Sequence, residues 1–101
     1  MQLRNEFEPI RDWAEDKGIL HKGTVKGQFE KLLEEVNELN QAIIEKDKRE
    51  LIDAVGDCVV VLTNLSELAG VKIEDCINSA YNEIKNRKGK MINGTFVKDA
   101  K

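Results

Sequence analysis

The sequence predicts an all-α fold: a bundle of four to five helices, completed by a second copy of the chain, with a short hairpin-like tail at its C-terminal end. Three observations predict it. Apolar residues recur at three- and four-residue steps along most of the chain. There is one proline and aromatic residues make up only 5%, which disfavours a sandwich or barrel. Hydrophobic residues account for 41% and charged residues for 35% of 101 positions, the balance of one globular domain over 1–101 with room for one modest core.

The elements follow in order. From about Leu3 to Lys17, Phe7, Ile10, Trp13 and Ala14 recur at helical spacing, and Gly18 is a natural terminator. The Gly- and Lys-rich HKGTVKG that begins at His21 reads as a loop. A second helix is expected from about Val25 to Lys46, with Phe29, Leu32, Leu33, Val36, Leu39, Ile43 and Ile44 in one stripe. Asp47 followed by Glu50 is a capping-box pattern that opens a third helix, which runs to about Leu68 and stops at Gly70. The β-branched run Val59-Val60-Val61 could suit a strand. With no breaker and no alternation between Leu51 and Leu68, a long buried helix is expected instead. A fourth helix spans about Ile73 to Asn86. Asn93-Gly94, between Met91-Ile92 and Thr95-Phe96-Val97, is a short hairpin signal.

Composition excludes several function classes. A formal net charge of -3 gives no basic field for nucleic acid. No apolar run approaches a membrane span, and charges stand where a signal peptide would be apolar. Cys58 and Cys76 match no metal-finger or redox spacing and read as reduced thiols. A cytoplasmic protein with no membrane or nucleic-acid partner is expected.

The carboxylates carry the chemistry. On the second helix, Glu35 and Glu38 share a side with Gln28 and Lys31, while Glu34 points toward Glu30. Alone, such a pattern is usually a solvated face. The third helix differs, because apolar residues cover nearly its whole circumference and leave a polar gap of roughly 60°. That gap holds Glu50, Asp53, Asp57 and Asn64. Buried carboxylates need partners. A hard divalent cation, Mg²⁺ first, would supply one, and facing helices are a known way to build such a site. An ion-paired core using Lys31 or Arg87 is the structural alternative.

The ordered pattern Gln28-x-x-Lys31-Leu32-x-Glu34-Glu35-x-x-Glu38-Leu39, then Asp53-Ala-x-Gly-Asp57, resembles the MazG-like all-α nucleoside triphosphate pyrophosphohydrolases, most closely their small single-domain members. Tyr81-Asn82-x-x-Lys85-x-Arg87-Lys88-Gly89-Lys90 is similar to that family's phosphate-contacting segment. The resemblance covers roughly Trp13 to Val97. It implies cleavage of a nucleoside triphosphate between the α and β phosphates, releasing monophosphate and pyrophosphate. It also implies Mg²⁺, with Mn²⁺ as a substitute, held by an ExxE pair and an ExxD pair on successive helices. The ExxE falls on Glu35 and Glu38. For the second pair, Gly56-Asp57 matches but Ala54 stands where the glutamate would be; Asp53 is one residue earlier, and the literal ExxD is Glu50 to Asp53. The expected order as ligands is Asp57, Asp53, Glu50.

The same resemblance gives roles. Glu38, ahead of Glu34, is the candidate general base. Lys31, Lys85 and Arg87 would hold phosphates, with Asn82 as a further donor. Gln28 is a polar substrate contact. Trp13 is either a core residue, as a tryptophan on an apolar stripe usually is, or a stacking platform for the base. The apolar surface and the resemblance together imply a homodimer or a dimer-of-dimers tetramer. Two other readings are a non-catalytic helical adaptor and a related pyrophosphohydrolase acting on a phosphoribosyl-nucleotide.

Overall fold

The computed structural model describes residues 5–100. The Leu3 end of the expected first helix lies outside them. Helix α1 runs Glu8–Asp16, with Pro9 in its first turn where a missing N–H costs nothing. It ends at Gly18, which takes a left-handed φ of 80°. A short helix not expected from the sequence follows, α2, Ile19–Lys22, which takes in His21 and Lys22 from the start of the expected loop. The reason is local: Gly18 reverses the chain, and the half-buried Ile19 and Leu20 continue helically beneath it.

Helix α3, Val25–Glu45, is capped by Thr24, whose Oγ1 accepts from the Gly27 N–H at 2.9 Å. Lys46, at φ 56°, closes it, and Asp47 caps α4, Lys48–Leu68, by accepting from the Glu50 N–H at 3.1 Å. The two-residue connection folds α3 and α4 into a helical hairpin, the most extensive contact between elements. Val59-Val60-Val61 lies inside α4, as the spacing predicts.

The α3–α4 seam follows a heptad-like rule. Leu32, Glu35, Leu39 and Ala42 from α3 are sheltered with Leu51, Ala54, Cys58, Val61 and Leu65 from α4. Ala42 and Ala54 are small enough to draw the backbones together, and both are buried.

The expectation that α4 is buried on all sides is corrected. Ile52, Val55, Val59 and Leu62 recur at i, i+3, i+7 and i+10 and are all exposed, Ile52 to 66%. On α3, Phe29, Leu33, Val36 and Ile43 form a second exposed stripe. The physical reason is supply: one chain does not bring enough surface to cover an almost wholly apolar helix. The radius of gyration, 15.9 Å, exceeds the ~13 Å of a compact domain of about this length.

Helix α5, Ile73–Ile84, packs on α4, and the hairpin of β1, Gly89–Ile92, and β2, Thr95–Lys98, stands apart with β2 exposed throughout. Asn93 and Gly94, at φ 50° and 86°, give the primed turn that the Asn-Gly pair predicts. Among the described residues no single helix is long and apolar enough to cross a membrane.

One buried ion pair ties the first helix to the last. The Arg11 guanidinium donates Nη1 and Nη2 to the two Glu74 oxygens at 2.8 and 2.7 Å, and Nε to Glu8 at 2.6 Å. The bidentate bond holds the Glu74 carboxyl down at about 2, against an ordinary 4.5. Stability from that depressed carboxyl is complete above pH 4.5 and is lost as pH falls toward about 2. Arg11→Met should cost ~2–3 kcal/mol in thermal unfolding at neutral pH. The variant should also lose less stability than the parent across that acid range; an equal loss would remove the ion pair as its cause.

Candidate functional site

Glu35 occupies a seam position that an apolar residue would ordinarily fill. It does so because the sequence places it seven residues before Ala42, on the same face of α3. Its carboxylate is 6% exposed, and Oε2 is buried with no hydrogen-bond partner. The nearest cation, Lys31 Nζ, lies 3.7 Å from Oε1 and equally far from Glu34 Oε1, too long for a hydrogen bond.

Two more acids converge on it. Among the described residues one group of carboxylates, Glu35 and Glu38 from α3 with Asp57 from α4, offers oxygen atoms all within 4.8 Å of one another. Glu38 is one turn along from Glu35, and Asp57 meets them across the seam. Burial first, then the charges of Glu38 and Asp57, pushes the Glu35 carboxyl above its ordinary range. Burial likewise raises the Cys58 thiol, followed by the charges of Glu35 and Asp57, so this cysteine is no thiolate nucleophile. A buried acceptor without a donor, beside two further carboxylates, is the donor set of a hard divalent cation.

The cluster adjoins a cavity of about 730 Å³. Its lining is mixed: Lys22, Lys31, Glu34, Glu35 and Asp57 are charged, Trp13, Ile19, Val60 and Val61 are apolar, and Asn64 is also in the wall. Gly23 and Gly27 also line it; a Cβ on Gly23 would run into the Ile19 carbonyl, and one on Gly27 would crowd the Thr24 Oγ1 that caps α3.

The sequence-predicted residues divide accordingly. Gln28, Lys31, Glu34, Glu35, Asp57 and Trp13 line the cavity, and Glu38 joins the cluster at its edge. Trp13 is 47% exposed, so it is a cavity wall and not a core residue. Asp53 and Glu50 are exposed and stand outside the three-acid group, because Ala54 takes the inward-facing place on that turn. Asn82, Lys85 and Arg87, at the end of α5 and in the turn after it, do not line the cavity of their own chain. Lys22, Thr24 and Asn64 line it without having been singled out as substrate contacts. Of these, Asn64 alone left a trace, as the last member of the polar gap on α4.

Comparison with known proteins agrees with this geometry. Residues 24–92, which span α3 through β1, match the MazG nucleotide pyrophosphohydrolase domain. The chain is similar to an uncharacterized 18.2 kDa protein in the rep-hol intergenic region of Haemophilus phage HP1, with 34% identity over 65 residues. That alignment takes in 64% of this chain and 40% of the phage protein, so the chain spans well under half the length of that relative. No solved structure matches. With the matched segment carrying all three clustered acids, the chain belongs to the MazG nucleotide pyrophosphohydrolase family.

Proposed function

We propose that this chain hydrolyses nucleoside triphosphates to monophosphate and pyrophosphate in a Mg²⁺-dependent reaction, acting on the cytoplasmic nucleotide pool. One observation carries the reading: the orphaned, buried Glu35 Oε2 lies in a three-carboxylate group beside a cavity whose lining holds both charged residues and Trp13. A polyanion and a base need both kinds of wall.

Glu35, Glu38 and Asp57 would hold the metal, which when bound neutralises phosphate charge and makes water a better nucleophile. Glu38 is exposed and so retains an oxygen able to accept a proton from the attacking water. Glu34 is engaged with Lys31 and serves less well. Lys31, itself half exposed, is free to turn from the acids to a phosphate oxygen. Gln28 can donate to the same end, and Trp13 offers an open face for stacking.

A second copy completes the site in this reading. The exposed stripes of α3 and α4 fit a helix-on-helix dimer interface. Asn82, Lys85 and Arg87 sit on an arm that reaches no cavity of its own chain, so each arm serves its partner's phosphates.

Pyrophosphate release from a panel of NTPs, dNTPs and a phosphoribosyl-nucleotide triphosphate should require Mg²⁺. It should fall about 10²–10⁴-fold in Glu38→Gln. Release that needs no metal would overturn the metal-binding role of the three acids, and no release from any member would return the chain to the adaptor reading. Glu35→Gln separates the metal from the fold. A carboxyl raised by burial disfavours the folded state increasingly as pH climbs above its unfolded value. The metal-free variant should therefore melt higher than the parent at pH 7, by ~1 kcal/mol, yet gain nothing from Mg²⁺. The parent should gain about 2.7 kcal/mol at a hundredfold excess over its dissociation constant. Sharing of sites is read by complementation. Glu38→Gln and Arg87→Ala chains, each inactive alone, should recover activity when refolded together, and failure to recover would place Arg87 in its own chain's site.

A further inference from the structure

Three buried side-chain atoms among the described residues lack a hydrogen-bond partner: Glu35 Oε2, Asn64 Oδ1 and Asn78 Oδ1. The first two line the same cavity. Asn64 is 3% exposed. Its polar neighbours on α4 do not share its condition. Thr63 donates Oγ1 to the Val59 carbonyl at 2.8 Å, and Ser66 donates Oγ to the Thr63 carbonyl at 2.9 Å, so both are satisfied within the helix. An unpaired acceptor at such depth is costly unless something supplies a donor.

Position says what the donor belongs to. Asn64 follows Asp57 by seven residues, two helical turns on the same face and about 10 Å further along the axis. The metal-binding end and the amide thus stand in line with the length of a nucleoside between them. Val60 and Val61 stand one turn before the amide on α4, and Trp13 and Ile19 line the same cavity. A ribose carries hydroxyls round its ring and offers such residues little flat apolar surface. A nucleobase has apolar faces and a hydrogen-bonding edge, and suits them well.

We propose that Asn64 reads the Watson–Crick edge of the substrate base, its Oδ1 accepting an N–H of that edge, and thereby sets which nucleotides the enzyme prefers. This deepens the pyrophosphohydrolase reading and rests on it. The amide works on the base alone and touches no phosphate, so its loss is a loss of discrimination.

Asn64→Leu keeps the branched shape and removes the amide, and Asn64→Ser removes it with less bulk should the first variant fold poorly. For the preferred nucleotide, kcat/KM should drop about tenfold or more, mainly through KM. The spread of kcat/KM between bases should narrow, while inhibition by inorganic tripolyphosphate, which has no base, stays as in the parent. Equal losses for every base, weaker tripolyphosphate inhibition, or a change confined to ribose against deoxyribose would each overturn the assignment. If the parent releases no pyrophosphate at all, the pyrophosphohydrolase reading fails by itself. Quenching of Trp13, the sole tryptophan, by millimolar nucleosides then still judges Asn64: base-selective quenching lost in the variants supports it, and quenching unchanged in them overturns it.

Discussion

A carboxylate in the seam between two helices organises this molecule. Glu35 stands where the α3–α4 contact would ordinarily take a leucine, and every neighbouring feature answers to it. Its burial requires a counter-charge, yet the nearest ammonium is 3.7 Å away and half solvated. Glu38 and Asp57 add charge of the same sign. The hairpin is thus held at its middle by an unfavourable electrostatic arrangement and at its ends by two good caps, Thr24 and Asp47. A divalent cation reverses the sign of the middle contribution. Fold and cofactor are then parts of one equilibrium, since ions that bind only the assembled seam stabilise it by mass action.

That arrangement is tolerable only because the seam is narrow. Ala42 and Ala54 let α3 and α4 approach closely, and the large side chains are displaced to the outer faces. Phe29, Leu33 and Val36 on one helix and Ile52, Val55, Val59 and Leu62 on the other are consequently exposed in the single chain. The buried hydrophobic set shrinks to Ala14, Ala42, Ala54 and Val61, little for a chain this long to stand on. The acid in the seam and the apolar stripes outside it go together: the interior takes up a carboxylate, and the large apolar side chains stay on the outer faces.

Much of this was legible in the sequence because it rests on local rules. Helix spans follow from caps and terminators, so Gly18, Thr24, Asp47, Gly70 and Asn93-Gly94 mark their boundaries to within a residue or two. Helical phase puts Glu35 and Glu38 on one side of α3 and Asp57 in the polar gap of α4, but singling those three out from Glu34, Glu50 and Asp53 rested on the family resemblance. Helix α2 was missed because four residues carry no periodicity, and its glycine-rich surroundings look like any loop. Trp13 was ambiguous because a stripe does not say whether a second layer covers it. The exposure of α4 was hidden for the same reason, as periodicity tells how much of a helix is apolar but not how many neighbours arrive. Asp53 against Ala54 turns on about 100° of rotation, within the phase error of counting residues. Asn64 could be placed in the polar gap; its lack of a partner is a property of the packed cavity.

The walls of the cavity differ in how firmly they are built, and that difference follows from the topology. The three acids stand on α3 and α4, joined by a two-residue turn and packed along their length. Trp13 and Ile19 come from α1 and α2, whose connection to the rest is slighter. There the Arg11–Glu74 pair matters beyond its own energy. Arg11 precedes Trp13 by two residues on a nine-residue helix, so the ion pair that fixes one fixes the other. Its anchor is α5, the helix that also carries Asn82. One bidentate contact therefore sets both the wall against which a base would stack and the base of the arm that would reach a partner's phosphates. The three clustered acids need neither: α3 and α4 bring them together without α1 or α5.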